Sequence, residues 1–189
     1  MTDIPEPRFW YCGIIGKRLN LELLDELARQ RPEYSLVLVG RVDERGCVDT
    51  LAKLRQRDNV YFLGEKPVDD VPAYVSSFQA GLLPYELNLE TASISPLKMY
   101  EYLAAGLPVI STPIPAAEKH REYVTVCATA DSFIEACSLA VSTNDDAVIS
   151  QRRHFAERNS WDARVEQIRQ LIQAELPSGS LSPATAVTS

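Results

Sequence analysis

Short apolar runs alternate with amphipathic segments along most of this chain, and that order limits the folds open to it. RFWYCGIIG (residues 8–16) is a dense apolar run closed by Gly13 and Gly16, read as a buried strand and a glycine turn. Asn20 opens a helix over LELLDELARQ, in which Leu21, Leu24, Leu27 and Ala28 form one apolar face. Acids stand early in that helix and Arg29 and Arg31 late, in keeping with its dipole, and Pro32 stops it. SLVLVG (35–40) is apolar throughout, as strands covered on both faces are. A short helix near 49–56 leads to a strand, NVYFLG (59–64). A helix in DVPAYVSSF (70–78) and a strand in QAGLLPY (79–85) come next. The series closes with a helix over 96–105, strands in LPVIST (107–112) and YVTVCAT (123–129), and a helix in DSFIEACSLAVST (131–143). Strict alternation of this kind predicts an α/β fold, a doubly wound Rossmann-like parallel sheet of about six strands with right-handed crossovers. Ligands of such sheets sit at the carboxyl ends of the strands, beside the loops that start the helices.

The ends read differently. MTDIPEP (1–7) is short, polar and proline-bearing, the remnant of a linker, so that the domain runs over 8–175. Past residue 145 come extra C-terminal helices: a polar one over about 146–157, then one capped by Ser160 whose Trp161, Val165, Ile168 and Ile172 form a stripe. Residues 176–189, including PSGSLSPATAVTS, have no apolar period and are expected to be disordered.

Charge and composition exclude several roles. A net charge of −7 disfavours nucleic acid as a partner, because phosphate backbones call for clustered Lys and Arg. A nucleotide needs only one or two local positive charges and stays open. Cys12, Cys47, Cys127 and Cys137 show no CxxC spacing, which reads as buried free thiols in a reducing cytoplasm. His120, which could line a cleft, and His154 lack partners at metal spacing, so no metal is expected, and no GxSxG elbow supports a serine nucleophile. No apolar run approaches the ~20 residues needed to cross a membrane, and no leader is expected.

Three stretches carry candidate chemistry. GIIGKR (13–18) places two glycines between the first strand and first helix, where a backbone can approach an anion closely. Its GxxG spacing is not a dinucleotide fingerprint or a P-loop, and on local grounds a tight strand-to-helix turn is the favoured account. SPLKMYEYLAAGLPVIST (95–112) starts with Ser95 at the cap and Pro96 in the first turn, and Gly106 ends the helix. Lys98 and Glu101 share one face; as a surface pair they are worth about 0.2–0.5 kcal/mol. The amino end of this helix faces the ligand crevice of a doubly wound sheet, where a lysine can neutralise a diphosphate and a carboxylate can accept bonds from ribose hydroxyls. GEKPVDD (64–70) follows the third strand on the same edge, with Gly64 and Lys66 open to a base; a polar loop with an acidic helix cap explains it equally well.

The succession of GxxG, ARQRPEYSLVLVG, NVYFLGEKP, VPAYVSSFQAGLLPYELN and SPLKMYEYLAAGLPVIST resembles the carboxyl half of a GT-B glycosyltransferase of the group-1, family-4 type, over residues 8 to 173. The most specific part is PLKMYEYLAAGLPVIST with the preceding LPY and Asn88. The resemblance implies a domain that binds a nucleoside-diphosphate sugar, which is a substrate and not a cofactor. It places Glu101 on the ribose hydroxyls, Gly13 and Gly16 near the diphosphate and transferred sugar, and Lys66 with Gly64 at the base. Lys98, with Ser95, Pro96 and Leu97, lies toward the phosphates by helical spacing and the amino-end dipole. Two departures stand out: Ser93 occupies the position of the family's first glutamate, with Glu90 out of register, and Lys17 and Arg18 are near, but not at, the places of the usual Arg and Lys. The resemblance names no catalytic residue within this chain. It implies an amino-terminal acceptor domain outside these residues, and a C-terminal helix free to meet that domain, another partner or a second copy. The implied location is cytoplasmic, alone or held at the inner membrane by a partner. The alternative is a non-catalytic nucleotide-binding or interaction module from a truncated or split enzyme.

Overall fold

A computed structural model describes residues 3–67, 77–142 and 145–175. In chain order the elements are β1 (Arg8–Cys12), α1 (Leu21–Gln30), β2 (Ser35–Val39), α2 (Val48–Arg55), β3 (Val60–Gly64), β4 (Ala80–Leu83), α3 (Leu97–Ala104), β5 (Val109–Ser111), α4 (Pro115–Glu118), β6 (Val124–Val126), α5 (Ala130–Ser142), α6 (Asp146–Arg158) and α7 (Trp161–Glu175). The six strands form one parallel sheet in the order β3-β2-β1-β4-β5-β6. This is the Rossmann-like α/β architecture that the alternation predicts. The order reverses beside β1, and such a reversal opens a crevice at the carboxyl ends of β1 and β4.

Burial explains why the strand sequences are apolar throughout. Every residue of β2 and β4 is buried, so neither face of the central sheet meets water. Leu21, Leu23, Leu24, Leu27 and Ala28 of α1 are buried, and the Asn20 side chain accepts the N–H of Leu23 at 2.8 Å, capping the helix as its sequence position suggests. On α3 the core-facing residues are Met99, Tyr102 and Leu103. Tyr102 comes so close to β4 that a Cβ on Gly81 would stand 2.2 Å from its ring. Trp10 stacks on Phe78 at 4.9 Å and tilts against Tyr102 at 5.2 Å, which joins β1 to α3 through aromatic contact.

Some expectations shift. Helix α3 starts one residue later than its sequence suggests: Pro96 is the cap residue with extended backbone (ψ 114°), and Ser95 stands outside the helix and makes no capping bond. A proline at the cap still costs no helical hydrogen bond, since that N–H has no partner within the helix. The turn Thr91–Ser93 and the short α4 have no counterpart in the sequence pattern. Both are too short to show a period. Of the four free thiols, Cys127 and Cys137 are buried, while Cys12 and Cys47 are only partly so. Most of the helix expected over 70–78, and the tail 176–189, lie outside the described residues.

The chain divides into a body up to Ala156 and a second unit from Glu157. Within the second unit, the Ser160 hydroxyl accepts the N–H of Ala163 at 3.2 Å and starts α7. No residue of α7 is buried, and Trp161, Val165, Ile168, Leu171 and Ile172 are all exposed. No helix among the described residues is long and apolar enough to cross a membrane.

Candidate functional site

The carboxyl ends of β1, β2 and β3 are tied together through main chain. Gly13 N–H donates to the Val39 carbonyl and Gly40 N–H to the Gly64 carbonyl, each at 2.8 Å. Gly13 and Gly40 have φ of 143° and 132°, where side chains are strained, and a Cβ on Gly40 would stand 2.1 Å from the Gly13 carbonyl oxygen. Two glycines are therefore needed where these loops cross. Further along, Ile15 N–H donates to the Arg41 carbonyl and Asp43 N–H to the Ile15 carbonyl, while Asn20 N–H donates to Pro84 and Glu86 N–H to Arg18. The 13–20 loop is thus held between the loops that follow β2 and β4. The GxxG is a tight turn, and it is also the wall of the crevice.

Lys98, in the first turn of α3, reaches that wall. Its Nζ donates to the Tyr85 hydroxyl at 3.1 Å and lies 5.1 Å from the centre of the Tyr11 ring. A Cβ on Gly13 would sit 3.1 Å from this Nζ, so the ammonium occupies space that only glycine leaves open. Glu101 is exposed and does not pair with Lys98, so the surface ion pair that their spacing allows is not formed. Among the described residues the ammonium has aromatic and hydroxyl partners but no carboxylate. Burial, then neighbouring Tyr85, pushes the Tyr11 hydroxyl far above its ordinary range, so it stays protonated and donates to the Ile14 carbonyl at 3.1 Å. Burial also raises the Cys12 thiol, with Lys98 opposing.

A second group lies on the neighbouring loops. Gly16, Lys17, Arg18, Arg41, Asp43, Arg45 and Glu90 line a cleft of about 560 Å³. Arg18 pairs with Glu90 at 2.6 Å and Arg45 with Asp43 at 2.6 Å. The bonds from Arg45 hold the Asp43 carboxyl well below the usual carboxylate range.

The structure therefore brings Gly13 and Lys98 into contact, with Glu101 one turn along α3, and puts Gly16 and Lys17 in the second group. Gly64 and the exposed Lys66 stand at the end of edge strand β3. Pro96 is buried and Leu97 is 54% exposed at the start of α3. Asn88 takes a structural part: its Oδ1 accepts the N–H of Thr91 at 3.0 Å, and its own N–H donates to the Thr91 hydroxyl at 3.0 Å. Ser93 lies in the turn Thr91–Ser93, and the nearby acid Glu90 is engaged by Arg18. His120 packs on Phe155 at 5.0 Å, with its Nε2 3.2 Å from the Tyr100 hydroxyl. Tyr11, Tyr85, Arg41 and Arg45 do not stand out from the sequence. Arg41 directly follows the second strand and is open to the same edge argument as Lys66; nothing in the pattern of Tyr11 or Tyr85 points to Lys98.

A doubly wound sheet with a glycine-walled crevice and a helix amino end beside it defines a class of nucleotide-binding folds. Residues 7–143 match the family described as Glycosyl transferases group 1, and the chain belongs to that family. It is 30% identical over 163 residues to TuaH of Bacillus subtilis (strain 168), a glycosyltransferase by name, assigned to teichuronic acid biosynthesis; the match covers 84% of this chain and 41% of TuaH. Its fold is similar to that of WaaG, a glycosyltransferase involved in lipopolysaccharide biosynthesis (TM-score 0.61, 20% identity, 90% of this chain and 48% of WaaG). It is also similar to that of Anabaena HepE solved with UDP (TM-score 0.66, 15% identity, 88% of this chain and 48% of HepE). The chain spans less than half the length of each of these three proteins.

Proposed function

We propose that this chain is the donor-binding part of a glycosyltransferase and holds a nucleoside-diphosphate sugar at the crevice between β1 and β4. The observation that carries this reading is the Lys98 ammonium, seated against Gly13 without a carboxylate partner among the described residues. A cation so placed, next to the amino end of an eight-residue helix, attracts a diphosphate. Glu101 follows one turn later and is exposed, so both its oxygens remain available to ribose hydroxyls. Gly64 and Lys66 border the base. HepE, with the same fold, was solved with UDP, which supports this reading.

In the transfer, the bond from the anomeric carbon to the diphosphate breaks and the diphosphate leaves with the electron pair. A new bond forms to an acceptor hydroxyl, whose proton passes to a base or to water. Lys98 and the start of α3 stabilise the charge on the departing diphosphate. Glu101 binds and takes no proton. The acceptor and its base come from a domain or partner outside these residues, at the cytoplasmic face of a membrane or in the cytoplasm.

Titration calorimetry with UDP and GDP tests the reading. One nucleotide should bind at millimolar concentration or better, and Glu101→Ala and Lys98→Met should each weaken it about 10- to 100-fold, the worth of a charged hydrogen bond. No binding of either nucleotide, or full affinity in both variants, sinks it. Binding without turnover of a nucleotide sugar in the presence of acceptor domain would favour a non-catalytic module.

A further inference from the structure

Helix α3, which carries Lys98 and Glu101, is held by two sets of contacts. Met99, Tyr102 and Leu103 are buried and fix it to the body of the sheet. A second grip comes from α6, through Ile149, Arg152, Arg153 and Phe155, which recur at helical spacing. Phe155 is buried among rings: it stacks on Tyr123 at 4.1 Å and on Tyr100 of α3 at 6.1 Å, with His120 edge-on at 5.0 Å. Tyr100 stands between Lys98 and Glu101 in the same helix. At the other end of α3, Arg152 Nη1 donates to the Gly106 carbonyl at 3.1 Å and Arg153 Nη2 to that of Ala105 at 3.4 Å. Carbonyls at a helix end lack partners within the helix, and cations there suit the negative end of its dipole. A Cβ on Gly106 would meet the Ile149 side chain at 2.7 Å, so α6 lies close against this end. One face of α6 therefore grips α3 at its middle and at its carboxyl terminus.

We propose that α6 braces the nucleotide helix, and that Phe155 and Arg152 are positioning residues: they set where Lys98 and Glu101 stand without touching the nucleotide. The proposal rests on the donor reading above, which puts the nucleotide at those two side chains. A helix of eight residues moves as a unit, so a shift at Gly106 or Tyr100 is felt at Lys98. A ligand held by Lys98 and Glu101 selects one position of α3, and that position is the one α6 holds. The two events then favour each other. Docked α6 raises nucleotide affinity, and bound nucleotide tightens the docking of α6 by the same factor.

Amide hydrogen exchange and titration calorimetry on the full chain, with UDP and GDP, test this. Without ligand, Phe155→Ala should speed exchange in α3 at least tenfold more than in β2, whose buried strand reports global unfolding. Phe155→Ala and Arg152→Gln should each lower the affinity for whichever nucleotide binds by about three- to thirtyfold, the range for residues that act without touching a ligand. Arg152→Lys, which keeps a cation and a donor at Gly106, should regain most of the loss. In the wild-type chain the nucleotide should slow exchange over residues 149–156 beyond any slowing in β2, and Phe155→Ala should remove that difference. If Phe155→Ala does not fold, Phe155→Leu takes its place. Unchanged affinity in both the Phe155 and Arg152→Gln variants overturns the proposal, as does exchange over 149–156 that ignores the nucleotide. Failure of the wild-type chain to bind either nucleotide removes the donor reading instead. The ligand-free exchange then decides the brace by itself: α3 amides that track β2 in the Phe155 variant overturn it.

Discussion

The hydroxyl of Tyr102, on α3, accepts the main-chain N–H of Cys12, at the end of β1, at 2.9 Å. These residues are 90 apart in sequence, and this bond sets where the helix bearing Lys98 and Glu101 stands against the glycine loop. The Tyr102 ring is buried and Gly81 makes room for it. Tyr102→Phe keeps the ring and removes the acceptor. The expected loss is about 1–3 kcal/mol, the cost of leaving a donor without a partner. Urea unfolding measures it; an unchanged midpoint would show that the bond does not anchor α3.

Gly40 and Gly46 separate two effects that positive φ usually mixes. Gly40 has φ 132°, and a Cβ there would meet the Gly13 carbonyl oxygen at 2.1 Å, whereas Gly46 has φ 77° and nothing within 4 Å. Gly46→Ala should cost only the conformational term, about 1–2 kcal/mol. Gly40→Ala should cost more than about 3 kcal/mol, because the crossing of two loops must open as well. Equal costs, read from thermal or urea unfolding, would mean that the crossing has slack.

Tyr85 is expected to act through Lys98. Tyr85→Phe removes the oxygen to which Lys98 Nζ donates at 3.1 Å while the ring stays beneath the ammonium. On the donor reading, UDP affinity should fall about three- to tenfold, the worth of an ordinary hydrogen bond and less than for loss of the lysine itself, because Tyr85 acts only by holding the lysine in place. A drop as large as that of Lys98→Met would mean that Tyr85 touches the ligand itself.

Burial and the nearby Cys127 push the Cys137 thiol well above its ordinary 9.0. The folded state then holds the proton more firmly than the unfolded one. This contribution to stability is complete below 9.0 and is lost as pH rises past it, with the buried Tyr102 adding in the same direction above 10.0. The urea midpoint should hold from about pH 7 to 8.5 and fall by about pH 10, and Cys137→Ala should flatten that fall. Alkylation of the native protein at neutral pH should leave Cys137 unmodified. Rapid labelling there would contradict its burial.

Much of the fold is legible in the sequence because its signals are local. Strand burial shows in SLVLV and AGLL, and the caps at Asn20 and Ser160 need only the next three residues. The start of α3 is displaced by one residue because proline suits both the cap and the first turn. The relation between Lys98 and Gly13 is out of reach: the residues are far apart in sequence, and only the sheet order β3-β2-β1-β4 puts them together. Helical spacing sets Lys98 and Glu101 on one side and invites an ion pair, but it cannot weigh that pair against Tyr85, whose hydroxyl wins. Arg41 and Lys17 stand on consecutive loops, and their shared cleft follows from main-chain bonds that leave no trace in composition.

Three neighbouring strands run into Gly13, Gly40 and Gly64, so at those three points the rim offers main chain and no side chain of its own. Bare backbone has a fixed vocabulary: it offers dipoles and a contour, and no substitution can retune it without moving the chain. A ligand laid there is read for shape and charge and not for identity. On the donor reading, any preference for one ligand over another must then be written by the side chains beside this rim, Lys98 and Glu101 of α3 among them, and those are the places to edit when changing what the domain accepts.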